Sequence, residues 1–293
     1  MRSVKVFAPA TVANVGCGFD AMGFAFEGVG DVIEMWFSDN DEISYINESG
    51  VALPENSENN LMTPALRAIM DSLGERKGVV VRLEKKILPG SGIGSSAASA
   101  AAAVFAYNEL TNSNFSTNEL IVFALEGECM ASGSKHADNV APALMGGIVL
   151  VRDYDPIDTI HMTPARDIYC AVVHPHIEVK TIDSRAVLQP SLPLSVAVRQ
   201  WANLGSMVAS ILIGDFELMS RSLKDLVAEP YRKKFIPGYD VLKDKIMQAG
   251  AIGTNISGSG PSVFALCNSA VSAKEVSEVM MIHFTELGIK CDS

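Results

Sequence analysis

The sequence predicts an α+β fold in two lobes, from its length, its apolar content and the order of its segments. At 293 residues the chain exceeds what one core ordinarily serves and suits two. Hydrophobic residues make up 48% and charged residues 19%, enough apolar material for packed cores, and a composition that excludes a disordered chain. Strand-like and helix-like segments are mixed without strict alternation, which favours α+β over a parallel α/β sheet.

Residues 4–7 read as a strand running into a turn at Pro9, and residues 32–37 as a second strand. Over residues 61–73, Leu61, Ala65, Leu66, Ile69, Met70 and Leu73 share one helical face, with Pro64 near the start. Residues 79–83 form a valine-rich strand, followed by the glycine-rich stretch 89–94. Ser95 and Ser96 then open an alanine-rich helix to about residue 110. A helix is predicted over 118–131, and buried strands over 148–151 and 169–173. Composition turns polar across 154–166, which places the lobe boundary there, with lobes at 1–160 and 161–293. Helices follow at 195–213, 216–227 and 238–248. A Gly/Ser-rich stretch at 250–260 leads into a strand at 262–266, and a helix over 273–287 closes the chain.

Charge narrows the partners. With 23 Lys and Arg against 34 Asp and Glu, the net charge is −11. A chain this acidic is poorly matched to nucleic acid or an anionic membrane. An anionic ligand must be held locally, by backbone N–H groups and a few placed cations. Cys17, Cys129, Cys170, Cys267 and Cys291 form no CxxC pair and no metal-like cluster, as expected of reduced thiols. Residues 1–9 lack a signal-peptide core, and the longest apolar run, 97–106, is far short of the ~20 residues that span a bilayer. The expectation is a soluble, cytoplasmic chain.

The most informative stretch is Pro89, Gly90, Ser91, Gly92, Ile93, Gly94, Ser95, Ser96, Ala97, Ala98 and Ser99. Its glycines let backbone N–H groups approach a ligand closely. The helix behind them offers unpaired N–H groups and the positive end of its dipole, which together bind phosphate. The P-loop pattern fails for want of its lysine, and the dinucleotide pattern meets Ser95 where a third glycine belongs. From the residues alone, a helix-capping turn that binds nothing stands as the alternative.

This stretch resembles the ATP-binding motif P-x-x-x-G-[IL]-G-S-S-A-A of the superfamily containing galactokinase, homoserine kinase, mevalonate kinase and phosphomevalonate kinase. Residues 8–20 are similar to the superfamily's first motif in its homoserine kinase version, and residues 253–262 to its third. Three motifs in order cover most of the chain. The resemblance implies a two-lobed fold: an amino-terminal ATP-binding lobe with a left-handed βαβ-type phosphate unit, like a domain of a small-subunit ribosomal protein, and a ferredoxin-like carboxyl-terminal lobe. It implies ATP and Mg²⁺, a homodimer, and cofactor contacts at Asn60, residues 89–99, Gly258 and Ser259.

Asn14 and Asp20 flank a glycine turn, where turn chemistry alone could account for them. The resemblance assigns Asp20 to a substrate ammonium and Asn14 to the same site. Residues 136–147 match the segment H-x-D-N-V-A-P-x-x-x-G-G of the homoserine kinases, crowding His136, Asp138 and Asn139 into four positions. Mevalonate-type relatives carry an aspartate base where Asn139 stands here, and an amide cannot accept a proton as a base does. Either Asp138 turns inward, or the acceptor hydroxyl loses its proton directly to the γ-phosphate, which is the preferred reading. By the same resemblance Arg185 and Arg232 hold a carboxylate, for which a guanidinium fork is suited, and Ser96 with Glu128 holds Mg²⁺. The activity implied is transfer of the ATP γ-phosphoryl group to the side-chain hydroxyl of L-homoserine, within threonine biosynthesis. The competing readings are a mevalonate-type kinase, a nucleotide-binding homologue without turnover, and an NAD(P) oxidoreductase.

Overall fold

The computed structural model describes residues 2–54 and 56–293. In chain order the first elements are β1 (Ser3–Ala13), β2 (Met22–Phe37), β3 (Ile43–Asn47), α1 (Met62–Leu73), β4 (Val79–Glu84), α2 (Ser95–Thr111), α3 (Thr117–Ser132), α4 (Ala137–Met145), β5 (Ile148–Tyr154) and β6 (Ile157–Met162). They are followed by β7 (Tyr169–Pro175), α5 (Thr181–Ala186), α6 (Leu194–Ile213), α7 (Phe216–Ser222), α8 (Glu229–Arg232), α9 (Tyr239–Gln248), β8 (Gly253–Ile256), β9 (Val263–Cys267), α10 (Ala270–Glu286) and β10 (Cys291–Asp292).

The chain forms two compact units, and each draws on several stretches of sequence. Unit 1 comprises the segment through Thr11, Phe24–Pro89 and Gly94–His161; unit 2 comprises Val12–Gly23, Gly90–Ile93 and Met162–Ser293. The sheet of unit 1 runs β3-β4-β2-β5-β6, with β1 also paired to β2. β3 and β4 are parallel, from Ile43 opposite Val79 to Asn47 opposite Leu83, while β2 and β4 are antiparallel. Val79, Val81 and Leu83 are buried at alternate positions of β4, and Ile33 and Met35 likewise on β2, as a half-buried strand requires. On the helical side, α1 buries Ala65, Leu66, Ile69 and Met70. Nearly all of α2 is buried, and its alanines let neighbouring helices come close. A Cβ at Gly127 of α3 would lie 3.1 Å from the Ala100 Cβ and 2.6 Å from the Leu61 carbonyl oxygen, so that crossing demands glycine.

Unit 2 holds an antiparallel sheet in the order β10-β7-β9-β8. Its core joins Val173, Leu242, Ile246, Val263, Ala265, Val276, Met280 and Phe284, drawn from that sheet and from α9 and α10.

Two expectations change, and one stretch gains an element. β1 continues through Pro9 instead of turning there; an outer strand accepts proline because one of its edges needs no donors. The polar stretch at 154–166 contains β6, hairpin partner of β5, and the chain passes from unit 1 to unit 2 within it, between His161 and Met162. The helix expected over 216–227 ends at Ser222. Beyond it the Asp225 carboxylate accepts the backbone N–H groups of Val227, Ala228 and Glu229 and so starts α8 instead.

Candidate active site

In unit 1 the glycine loop delivers α2, whose first turn is fastened from beneath. Lys85, 6% exposed, donates from Nζ to Asp31 Oδ2 at 2.6 Å, to the Ser95 carbonyl at 3.0 Å and to Ser99 Oγ at 2.9 Å. Asp31 Oδ1 accepts the N–H groups of Lys86 and Ile87 at 2.8 and 2.9 Å, and Ser95 Oγ donates to the Ile87 carbonyl at 2.9 Å. Burial draws the Lys85 pKa below the usual lysine value, while the Asp31 carboxylate pulls it the other way. The hydroxyls of Ser95 and Ser99 thus belong to the support. Ser96 differs: its Oγ donates to Glu128 Oε2 at 2.7 Å, and Glu128 is 6% exposed.

Asn139, in the first turns of α4, accepts a hydrogen bond from Thr11 Oγ1 at 2.7 Å through its amide oxygen. Gly94, with φ of 74°, passes so near that a Cβ there would fall 2.0 Å from Thr11 Oγ1 and 3.1 Å from Asn139 Oδ1. Gly94, Thr11 and Asn139 therefore form one cluster within unit 1. Asp138 is 3% exposed, whereas its neighbour Asn139 is half-buried. His136 occupies the N-cap position of α4 without a side-chain capping bond, its Nε2 2.5 Å from Ser134 Oγ. Asn60 has both ends of its amide engaged locally, accepting from the Met62 N–H and donating to the Pro54 carbonyl at the start of α1.

Unit 2 assembles the remaining candidates. Asn14 and Asp20 adopt left-handed backbone, with φ of 69° and 55°, a conformation Asn and Asp tolerate best after glycine. Asn14 Oδ1 accepts the Asp20 N–H, and its Nδ2 donates to the Gly258 carbonyl. Asp20 Oδ1 accepts Arg185 Nη2 at 2.7 Å across 165 positions of sequence. Arg232, 3% exposed, donates to the carbonyls of Ser184 and Gly258 at 3.2 and 2.7 Å. The Ser259 carbonyl accepts Ser184 Oγ at 2.9 Å. The loop of residues 90–93 packs on the second glycine loop: Ser257 Oγ donates to the Gly92 carbonyl at 2.7 Å, and a Cβ on Gly92 would meet the Gly260 oxygen at 2.5 Å. Ser91 Oγ is buried there without a hydrogen-bond partner, a donor left for a ligand by the chemistry of buried hydroxyls.

Within unit 2 the structure thus joins Asn14, Asp20, Arg185, Arg232, Gly258 and Ser259, and within unit 1 it joins Gly94 to Asn139 and Ser96 to Glu128. Sequence reasoning missed Thr11, Asp31 and Lys85. Thr11 stood inside a motif already singled out; Asp31 and Lys85 carried no local signal. Among the described residues no cluster of three or more His, Cys, Asp or Glu side chains is placed to hold a metal. One hydroxyl and one carboxylate, as at Ser96 and Glu128, fit Mg²⁺, which keeps waters and shares substrate phosphates instead of filling a protein cage.

Comparison with known proteins bears on these groups. Residues 60–147 match the GHMP kinases N terminal domain, and residues 207–284 the GHMP kinases C terminal domain. The chain is 42% identical to the homoserine kinase of Chloroherpeton thalassium over 299 aligned positions, covering 98% of this chain and 94% of that protein. It superposes on the crystal structure of homoserine kinase from Cytophaga hutchinsonii with a TM-score of 0.94 and 44% identity, covering 100% of this chain and 93% of that one. The L. major mevalonate kinase structure, at 15% identity and a TM-score of 0.71, shares the fold. With identity of this order sustained from end to end, the chain belongs to the homoserine kinases of the GHMP kinase family.

Proposed function

We propose that this chain transfers the γ-phosphoryl group of ATP to the side-chain hydroxyl of L-homoserine, giving O-phospho-L-homoserine for threonine biosynthesis. The carrying observation is the cluster of Asp20, Arg185 and Arg232 in unit 2. One carboxylate beside two guanidiniums complements a zwitterion, with the ammonium on Asp20 and the carboxylate on the arginines. Mevalonate has no ammonium for Asp20 to hold. The family likeness also assigns Asn14, His136 and Asn139 to the acceptor in this reading.

ATP is assigned to the backbone N–H groups of residues 90–96, the first turn of α2 and the Gly258–Ser259 loop. Ser96 and Glu128 would hold Mg²⁺, which neutralises charge on the phosphate oxygens when bound. The remaining work is positioning. The homoserine oxygen attacks the γ-phosphorus, the bond to the bridging oxygen of ADP breaks, and the hydroxyl proton passes to a γ-phosphate oxygen. Asn139 takes no proton; with its oxygen engaged by Thr11, it presents its N–H groups. The enzyme is read as cytoplasmic.

A homodimer is part of the same reading, and α6 supports it. This helix is long and apolar enough to cross a membrane by length and composition, with 22% of its apolar window buried. Its exposed face sets Leu194, Val198, Trp201 and Leu212 around the small residues Ala202, Gly205 and Ala209, a surface suited to close packing against a second copy of itself. Trp201→Glu is expected to halve the mass measured by sedimentation while leaving the circular dichroism unchanged.

The activity test is an acceptor panel. ADP release is measured with ATP, Mg²⁺ and either homoserine, mevalonate or no acceptor. Release confined to homoserine is the expected result; equal release without acceptor would defeat the reading.

A further inference from the structure

Gln200 lies on the buried side of α6 and is 6% exposed, within the same unit as Asp20 and Arg232. Glutamine is seldom buried, because its amide then gives up water at both its oxygen and its nitrogen. Here both ends are met. Nε2 donates to the Cys17 carbonyl at 2.8 Å, and Oε1 accepts the Leu226 N–H at 2.9 Å. A carbonyl only accepts and an N–H only donates, so the amide fits in one orientation. Apolar side chains such as Met207 and Ile211 serve the buried side of α6 elsewhere, so packing alone does not call for an amide at 200.

The two partners belong to two different segments of the acceptor site. Cys17 lies in the turn between Asn14 and Asp20, where Asn14, Val15, Gly16 and Asp20 have φ of 69°, 41°, 66° and 55°. A β-branched residue such as Val15 keeps that backbone only where its surroundings hold it. Leu226 lies just before α8, beside the Asp225 carboxylate that gathers the N–H groups of Val227, Ala228 and Glu229. The Arg232 N–H then bonds the Ala228 carbonyl at 2.9 Å. Gln200 therefore spans from the segment that carries Asp20 to the segment that carries Arg232. These segments also touch directly at Gly16, where a Cβ would fall 2.9 Å from the Leu223 carbonyl oxygen. A second tie joins them, since the Gly258 carbonyl accepts both Asn14 Nδ2 at 3.1 Å and Arg232 Nη1 at 2.7 Å.

We infer that Gln200 is a positioning residue that fixes the spacing between Asp20 and Arg232, and so favours an acceptor carrying an ammonium and a carboxylate on one carbon. The inference rests on the reading above, in which Asp20 takes the ammonium and the arginines take the carboxylate. A spacing set before the substrate arrives lets both of its charged groups bind without a further ordering cost. A ligand with only one of those groups meets one segment and is indifferent to the spacing. A glutamine that only anchored α6 would lower stability and leave the choice of acceptor unchanged.

The experiment uses the full-length enzyme and two variants. Gln200→Met keeps the length and loses both bonds. Gln200→Glu keeps the bond from Leu226 and turns the donor facing Cys17 into an acceptor, so it carries the test if Gln200→Met does not fold. Each is assayed for the KM of L-homoserine and of ATP. Each is also assayed for competitive inhibition by 4-hydroxybutyrate, which lacks the ammonium, and by 3-aminopropan-1-ol, which lacks the carboxylate. The homoserine KM should rise about ten- to thirtyfold, while the ATP KM stays within about twofold and both inhibition constants within about threefold. An unchanged homoserine KM would overturn the inference, and so would an equal loss for homoserine and both one-ended analogues. Asp20→Ala and Arg185→Ala run alongside. Asp20→Ala should weaken 3-aminopropan-1-ol more than 4-hydroxybutyrate, and Arg185→Ala the reverse. If those controls hold while the Gln200 variants bind homoserine like the parent, the role of Gln200 alone falls. If the controls fail, the reading of the acceptor site falls first and the inference with it.

Discussion

Asn139 and Asp138 are adjacent in sequence but do different things. The side chain that meets Thr11 beside Gly94 is the amide, whereas the carboxylate next to it is 3% exposed in the first turn of α4. A carboxyl group in that place can support the helix start, since acidic groups favour an N-terminal turn. It follows that Asp138→Asn should keep kcat within about tenfold of the parent, because removing a true general base costs about 10²–10⁴. Steady-state kinetics across pH provide the check. A loss beyond a hundredfold, with the homoserine KM unchanged and an acidic limb erased from the profile, would transfer the proton to Asp138 after all. The same division of labour runs through the serines. Ser95 and Ser99 point into the support, and Ser96 alone of the three donates to Glu128.

At the scale of elements, the Lys85–Asp31 pair ties the end of β4 to β2 and to the first turn of α2. Both side chains are nearly solvent-free, at 3% and 0%. A buried pair of this kind contributes little relative to apolar packing, yet removing one partner leaves the other charge uncompensated. Lys85→Met should therefore cost about 3–5 kcal/mol of stability, and the double change Lys85→Met with Asp31→Leu should recover a large part of it. Denaturant melts of the parent, the single variant and the double variant decide this; a double variant no more stable than the single would show that the pair does not couple. This pair also shows where sequence reading stops. The amphipathic face of α1, the alanine run of α2 and the glycine loop announce themselves over a few residues, because helical period and turn chemistry are local. Lys85 meets Asp31 across 54 positions, and Arg185 meets Asp20 across 165. Such meetings depend on strand register and lobe assembly, to which no short window is sensitive. The early end of α7 has a similar cause: the apolar pattern continues, but Asp225 captures the backbone donors first. The site residues inside the three motifs were legible only through family likeness, since each taken alone reads as a turn or a surface charge.

For the molecule as a whole, pH acts through two histidines of unit 2 whose folded surroundings disfavour the proton. His283 on α10 is 4% exposed, and burial is the main cause of its lowered pKa, with Lys245 adding to it. His174 on β7 is lowered mainly by burial and then by His176, against the opposing pulls of Asp292 and the Ser91 carbonyl. In the unfolded chain both return to about 6.5. Below that value the unfolded state binds protons that the folded state refuses, so stability rises with pH across the interval between the folded and unfolded pKa values. Their contribution is complete above about pH 6.5 and is lost as the pH falls through the folded values, before most carboxylates titrate near 4. The parent Tm should accordingly fall between pH 7 and pH 5. Replacing the titrating ring by a neutral group should flatten that fall, so His283→Gln is expected to lie below the parent at pH 7 and to approach it at pH 5. Calorimetric Tm values for the two proteins at matched ionic strength make the comparison. Parallel curves, with the same gap at both pH values, would mean that the His283 proton is not linked to folding.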